Sequence, residues 1–155
     1  YQGNIESKYD KFEQYTRLST PDLVLASLDG SQSQKLSASF VLRDSPPESI
    51  SMLFFSTNKN WEYLRNHRVH FLVDGNPFEA KSQHYGEVIT GGVFEGITAT
   101  LPIEEFNRTI RGSDVQVRIG FNEFRLGANE LEVLNHLASK IPEGETPSGI
   151  KIVRW

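Results

Sequence analysis

HRVHFLVDGNPFEAKSQHYGE, residues 67–87, holds two short apolar arms on either side of Asp-Gly-Asn-Pro. Short runs rich in Val, Ile and Phe, bounded by turn-forming residues, read as strands. VHFLV and PFEAKSQHY therefore form an antiparallel hairpin around DGNP. Pairing Val73 with Phe78 places Phe71 beside Ala80, Val69 beside Ser82 and His67 beside His84. Two imidazoles facing each other across strands could chelate zinc, with an acid or a water completing the set. His70 and Asp74 fall on the opposite face and stay outside such a site. The competing account is simpler: His67 and His84 cap the end of an apolar face and hydrogen-bond locally, and no cofactor is needed.

The same grammar extends outward in both directions. DLVLASL (22–28) meets KLSASFVL (35–42) across a loose DGSQSQ loop. ISMLFFS (50–56) is apolar on both faces, the signature of a central strand. EVIT and VFEGITATL flank Gly91-Gly92, another hairpin turn by composition. STNKNWEYLRNH reads as one or two helical turns capped by Thr57 or Asn58, with Trp61 and Leu64 on a buried stripe. Near the N-terminus, Ile5, Tyr9, Phe12 and Tyr15 suggest one or two strands wrapped against the body.

Two helices are better marked. LPIEEFNRTIRG starts with Pro102 in the first helical position and stops at Gly112, giving a helix over about 102–111. GANELEVLNHLASKIP gives another over about 128–141, ended by Pro142. Its apolar residues Leu131, Val133, Leu134, Leu137, Ala138 and Ile141 fill one sector, the pattern of a helix lying on a sheet. His136 falls on its polar face. IKIVRW (150–155) reads as a final strand.

VRIGFNEFRL (117–126) is a further hairpin. Pairing Ile119 with Phe124 puts Arg118 opposite Arg125, and like charges in that position are destabilising. Burial of Val115, Val117, Ile119, Phe124 and Leu126 on the other face accounts for the pair as a by-product. The functional alternative is a two-guanidinium clamp for a carboxylate or phosphate.

At 155 residues the chain fits one domain with a substantial core. A net charge of −4 with scattered Lys and Arg leaves no electrostatic footprint for nucleic acid. The absence of cysteine excludes disulfides, thiol catalysis and zinc-thiolate sites. No apolar run approaches the ~20 residues needed to span a bilayer. The chain begins at Tyr1 rather than Met, which reads as a trimmed or matured product. No phosphate-binding glycine loop, G-x-S-x-G elbow, H-E-x-x-H or calcium-loop spacing is present. Glu104, Glu105 and Glu130 lie in first helical turns, where helix dipoles explain them without catalysis.

The expected fold is a mainly β, antiparallel sandwich of about eight to ten strands with two peripheral helices; a closed β-barrel is the alternative. FFSTNKNWEYLRNHRVHFLVDG and LPIEEFNRTIRGSDVQVRIGFNEFRLGANELEVLNHL resemble patterns that recur in uncharacterised exported bacterial proteins, over roughly the last two-thirds of the chain. The resemblance implies a β-rich domain with a C-terminal helix, placed outside the cytoplasm in the periplasm or secreted. It carries over no activity and no catalytic residue. The expected function is a non-catalytic binding or assembly domain with a protein partner or self-assembly, the latter by strand addition through residues 150–155. A metal-binding protein or metal-dependent enzyme using His67 and His84 is a second reading. A carbohydrate-binding module is a third, with Tyr63, Tyr85 and Trp155 as the aromatic contacts.

Overall fold

The computed structural model describes residues 4–142, 144–145 and 151–152. Ten strands form one antiparallel sheet, and the chain order along it explains its shape. The first layer contains β1 (Glu6–Asp10), β2 (Tyr15–Ser19), β3 (Leu23–Ala26), β4 (Ser33–Leu42), β5 (Ser49–Asn58) and β8 (Gly92–Pro102). The second contains β6 (Val69–Val73), β9 (Val115–Ile119) and β10 (Asn122–Leu126). The long strand β7 (Asn76–Ile89) belongs to both: residues 76–80 pair with β6, and residues 81–89 pair with β8. Inward side chains of both layers, among them Leu36, Phe54, Ile97, Phe71, Val117 and Phe124, fall in one core. A mainly antiparallel β domain with two helices is thus what forms. The barrel alternative does not: the sheet is not closed, and an isolated bridge from Ser27 to Phe124 is what brings β10 to the end of β3.

The helices α1 (Ile103–Ile110) and α2 (Ala128–Ala138) pack onto this core through Ile103, Phe106, Ile110, Val133, Leu134 and Leu137. Each is shorter than its sequence suggested. Pro102 ends β8 and occupies the N-cap of α1 rather than its first turn, because its backbone is still extended, with ψ 151°. After Ala138 the chain tightens into i→i+3 bonds, Lys140 N–H to Leu137 and Ile141 N–H to Ala138. The Glu130 carboxylate accepts the Gly127 amide at 2.9 Å, so its place in the first turn of α2 is capping as well as dipole chemistry.

Both hairpins pair two residues away from the register expected. Val73 pairs with Asn76 and Phe71 with Phe78, around a two-residue Asp74-Gly75 turn. Both turn residues have positive φ, 48° and 84°, the combination a type I′ turn requires. The Asp74 carboxylate then ties this turn to the chain ahead of β9, accepting the Ser113 and Asp114 amides at 2.9 and 2.8 Å. In the second hairpin Asn122 pairs with Ile119 around Gly120-Phe121, with Gly120 at φ 59°. Arg118 therefore faces Glu123, Arg125 faces Gln116, and the unfavourable arginine pair is not formed.

Three local expectations also change. Thr57 and Asn58 do not cap a helix; they extend β5 by pairing with Phe94 and Val93. Residues 59–68 cross from β5 to β6 in bends without a helix. The two N-terminal strands form as β1 and β2, and Ile5 packs against the core, but β1 itself is an outer, mostly exposed strand with Tyr9 and Phe12 in solvent. Of the terminal strand, Lys151–Ile152 pairs with Gly144–Glu145, as β12 and β11.

Candidate functional site

Two groupings emerge from this architecture, one buried and one exposed. The buried one follows from the departure of β6 at Val69. Beyond that point the inner face of β7, carrying Ser82, His84 and Gly86, is covered by the crossing 59–68 instead of by a strand. Ser82 Oγ donates to the His67 carbonyl at 3.3 Å, and the Trp61 ring lies so close to Gly86 that a β-carbon there would fall 2.2 Å from it. Opposite them, Glu95 occupies an inward position of β8 and is 1% exposed. Its carboxylate accepts the Glu62 amide at 2.6 Å and the Tyr63 amide at 3.0 Å, and contacts His84 Nε2 at 2.8 Å. A buried carboxylate normally needs such partners to offset its desolvation. Here those partners fix the path of the crossing.

The expected meeting of His67 and His84 does occur, although by a diagonal contact rather than as a direct strand pair. Their rings stack 5.0 Å apart at 17°. Stacked rings hold their nitrogens in nearly parallel planes, and His84 Nε2 is already turned to Glu95. Among the described residues, no group of three or more His, Cys, Asp or Glu side chains is placed to hold a metal ion. In this arrangement His84 Nε2 is engaged by the Glu95 carboxylate. His67 Nδ1 is buried without a hydrogen-bond partner among the described residues.

Tyr63, expected as a surface contact, is a core residue at 2% exposure. Its hydroxyl donates to Gln34 and accepts from Asn122, and burial first of all pushes its phenol up to about 12. Trp61, expected in the core, is the more exposed of the two at 38%. Trp155 lies outside the described residues, as does most of the strand expected at 150–155. The outer face of the second layer carries the row Glu79, His70, Arg118 and Glu123. Arg68 forks onto Glu79 at 2.7 and 3.0 Å, while Arg125 lies 3.6 Å from Asp114. Both arginines proposed as an anion clamp thus have an acidic neighbour, and they do not face each other.

The exposed grouping lies on the outer face of the β4–β5–β8–β7 layer. Strand register sets Lys35, Phe55, Gly96 and Tyr85 in one row across it. The next row is Ser37, Leu53, Thr98 and Gln83, and beyond it Ser39, Ser51, Thr100 and Lys81. On the other side, Phe94 lies between Thr57 and Glu87. Leu53 and Phe94 lean over Gly96, whose missing side chain leaves them room: a β-carbon would lie 3.5 and 3.9 Å from them. Phe94 touches Phe55 and Tyr85, with ring centroids 6.4 and 6.3 Å apart, the latter edge-on. Tyr85 is 58% exposed, its hydroxyl donating to Glu87 at 3.0 Å. That bond raises the Tyr85 phenol above its ordinary value.

No model of a known protein family, no curated protein and no solved structure matches the chain. Among the described residues, no helix is long and apolar enough to cross a membrane.

Proposed function

We propose that the chain is a non-catalytic binding domain of an exported bacterial protein, and that it engages its ligand through the outer face of the β4–β5–β8–β7 layer. The observation that carries this is the cluster formed by exposed Tyr85 and Leu53 with half-buried Phe55 and Phe94. Exposed apolar side chains are ordinary when scattered singly, but a contiguous group of rings on a sheet face is a recurrent feature of contact surfaces. The pair that most resembles catalytic machinery, Glu95 with His84, is accounted for by its structural bonds to the crossing. Placement outside the cytoplasm rests on the sequence resemblance.

A thermal-shift panel of neutral and anionic glycans, small anions and divalent metals tests the proposal. A ligand present at 100 times its dissociation constant adds about 2.7 kcal/mol, enough to raise the midpoint by several degrees. Binding through this face predicts that Tyr85→Ala abolishes the rise and His84→Ala does not. A zinc-dependent rise that survives Tyr85→Ala and disappears in His84→Ala would replace it with a metal-binding function.

A further inference from the structure

We infer that the ligand of this face is an uncharged saccharide, an inference that rests on the face being the binding surface. Three features of the face favour a sugar. First, the apolar cluster is small: Tyr85, Phe55, Phe94 and Leu53 on three neighbouring strands, with Ile89 beyond Glu87 on β7. A stable protein interface buries about 800 Å² on each partner and involves roughly 20–30 residues a side. The ring cluster is much smaller than that and matches a ligand of one or a few sugar rings. Second, the polar surroundings are neutral. In the rows that cross the face, formal charge is confined to Lys35 on one side and to Lys81 and Glu87 on the other. Between them stand Ser51, Thr98, Thr100 and Gln83.

Third, each of these four side chains can both donate and accept a hydrogen bond. None of them has a side-chain partner among the described residues. A pyranose presents an apolar C–H face and a rim of hydroxyls that likewise donate and accept. Aromatic faces cover the first, as they do in other mixed contacts where one side is apolar and the other wet. The free hydroxyls and amide beside them answer the second. An anionic ligand finds Glu87 at the aromatic end, held beside Tyr85 by the 3.0 Å hydroxyl bond, and so meets like charge where the rings are. An apolar protein segment would leave Thr98 and Gln83 covered and unpaired, at a cost for each group.

The test is NMR titration of the full chain, following backbone amides of β5, β7 and β8. The probes are neutral gluco- and N-acetylglucosamine oligosaccharides, uronic-acid oligosaccharides, and increasing concentration of the protein itself. A neutral oligosaccharide is expected to shift amides around Phe55, Tyr85, Phe94 and Thr98 saturably. Tyr85→Ala should weaken that binding about tenfold or more, while Tyr85→Phe retains it. Thr98→Val removes a hydroxyl that has no internal partner, so the fold is kept; it should weaken a sugar about two- to tenfold. Shifts at the same amides produced only by self-association, and unchanged or strengthened in Thr98→Val, would overturn the saccharide and keep the binding face. Preference for uronic-acid probes would likewise overturn the neutral ligand alone. Amides of this face unmoved by all three arms would overturn both readings.

Discussion

Replacing Glu95 by Gln tests whether the buried carboxylate holds the crossing between β5 and β6. The substitution keeps volume and shape, so the core should not collapse around it. What changes is the number of acceptors. Glu95 uses one oxygen for the Glu62 amide and the other for the Tyr63 amide and His84. Whichever way the new amide turns, its NH2 group faces a backbone N–H that loses its acceptor, either the buried Tyr63 amide or the part-buried Glu62 amide. The orphaned donor costs about 1–3 kcal/mol. The remaining bonds lose their charge assistance, roughly a further 1 kcal/mol in total. His84 adapts, because a neutral imidazole can accept where it formerly donated. The sum is about 2–4 kcal/mol, or roughly 5–15 °C in the thermal midpoint of a domain of this size. Urea unfolding measures the loss, and hydrogen exchange at Glu62 and Tyr63 locates it: both amides should be slow in the native protein and one of them fast in the variant. A loss below about 0.5 kcal/mol with exchange unchanged would refute the reasoning.

Other consequences follow from single contacts. Gly86→Ala places a methyl against the Trp61 ring, 2.2 Å from the nearest atom, so Trp61 should swing outward. Its fluorescence, recorded with Trp155 replaced by Phe, should shift to the red; an unmoved spectrum would contradict the contact. Gly96→Ala meets only ordinary packing distances and should stabilise the central sheet by about 0.5–1 kcal/mol through the backbone, as read by urea midpoint. A double-mutant cycle between Arg118 and Glu123 should give a favourable coupling, and one between Arg118 and Arg125 should give none; the opposite order would restore the register expected from sequence. Asp29 is held at about 2, below its ordinary 3.8, mainly by the Ser31 amide and then by the Ser27 and Ser31 hydroxyls. Its folded value is depressed, so the stability it contributes is fully present above about pH 4 and is lost as pH falls towards 2. An NMR titration of the Asp29 carboxyl with a midpoint near 4 would remove that contribution.

Much of the fold was legible because apolar alternation fixes which face of a strand is buried. The faces of Phe71, Val117 and Phe124 were all assigned correctly on this basis. Alternation is blind to a shift of two residues, however, since such a shift preserves every face. Both hairpins moved by that amount, because positive φ at Asp74, Gly75 and Gly120 closes two-residue turns where longer ones were expected. The arginine question arose from that blind spot. The crossing 59–68 failed for another reason. Two apolar residues three apart imitate a helical stripe, yet the segment's conformation is set by Glu95, which lies far along the chain. That glutamate did leave a signal. In GVFEGITATL it shares the inward parity of Val93, Ile97, Ala99 and Leu101, and a carboxylate in such a series must have buried partners.

The rings of the outer face left a signal too. ISMLFFS is apolar on both faces, which was read as a central strand. β5 is indeed central in its layer, flanked by β4 and β8, but Leu53 and Phe55 point to an outer face carrying Phe94 and Tyr85 rather than another layer. Fold physics accounts for part of this cluster. Gly96 leaves a gap in the sheet surface that Phe94 and Leu53 cover, a common way for a sheet to compensate a glycine. Tyr85 has no such explanation. It stands across the strand from Gly96, is 58% exposed, touches Phe94 edge-on and is tied by its hydroxyl to Glu87. Little apolar area is removed from water there, so the ring contributes little to folding. Under the proposed binding function, this oriented aromatic surface, beside hydroxyls without a side-chain partner among the described residues, is stabilised when a ligand is laid on it. Tyr85 is therefore the residue at which the needs of the fold and of the proposed binding separate most cleanly.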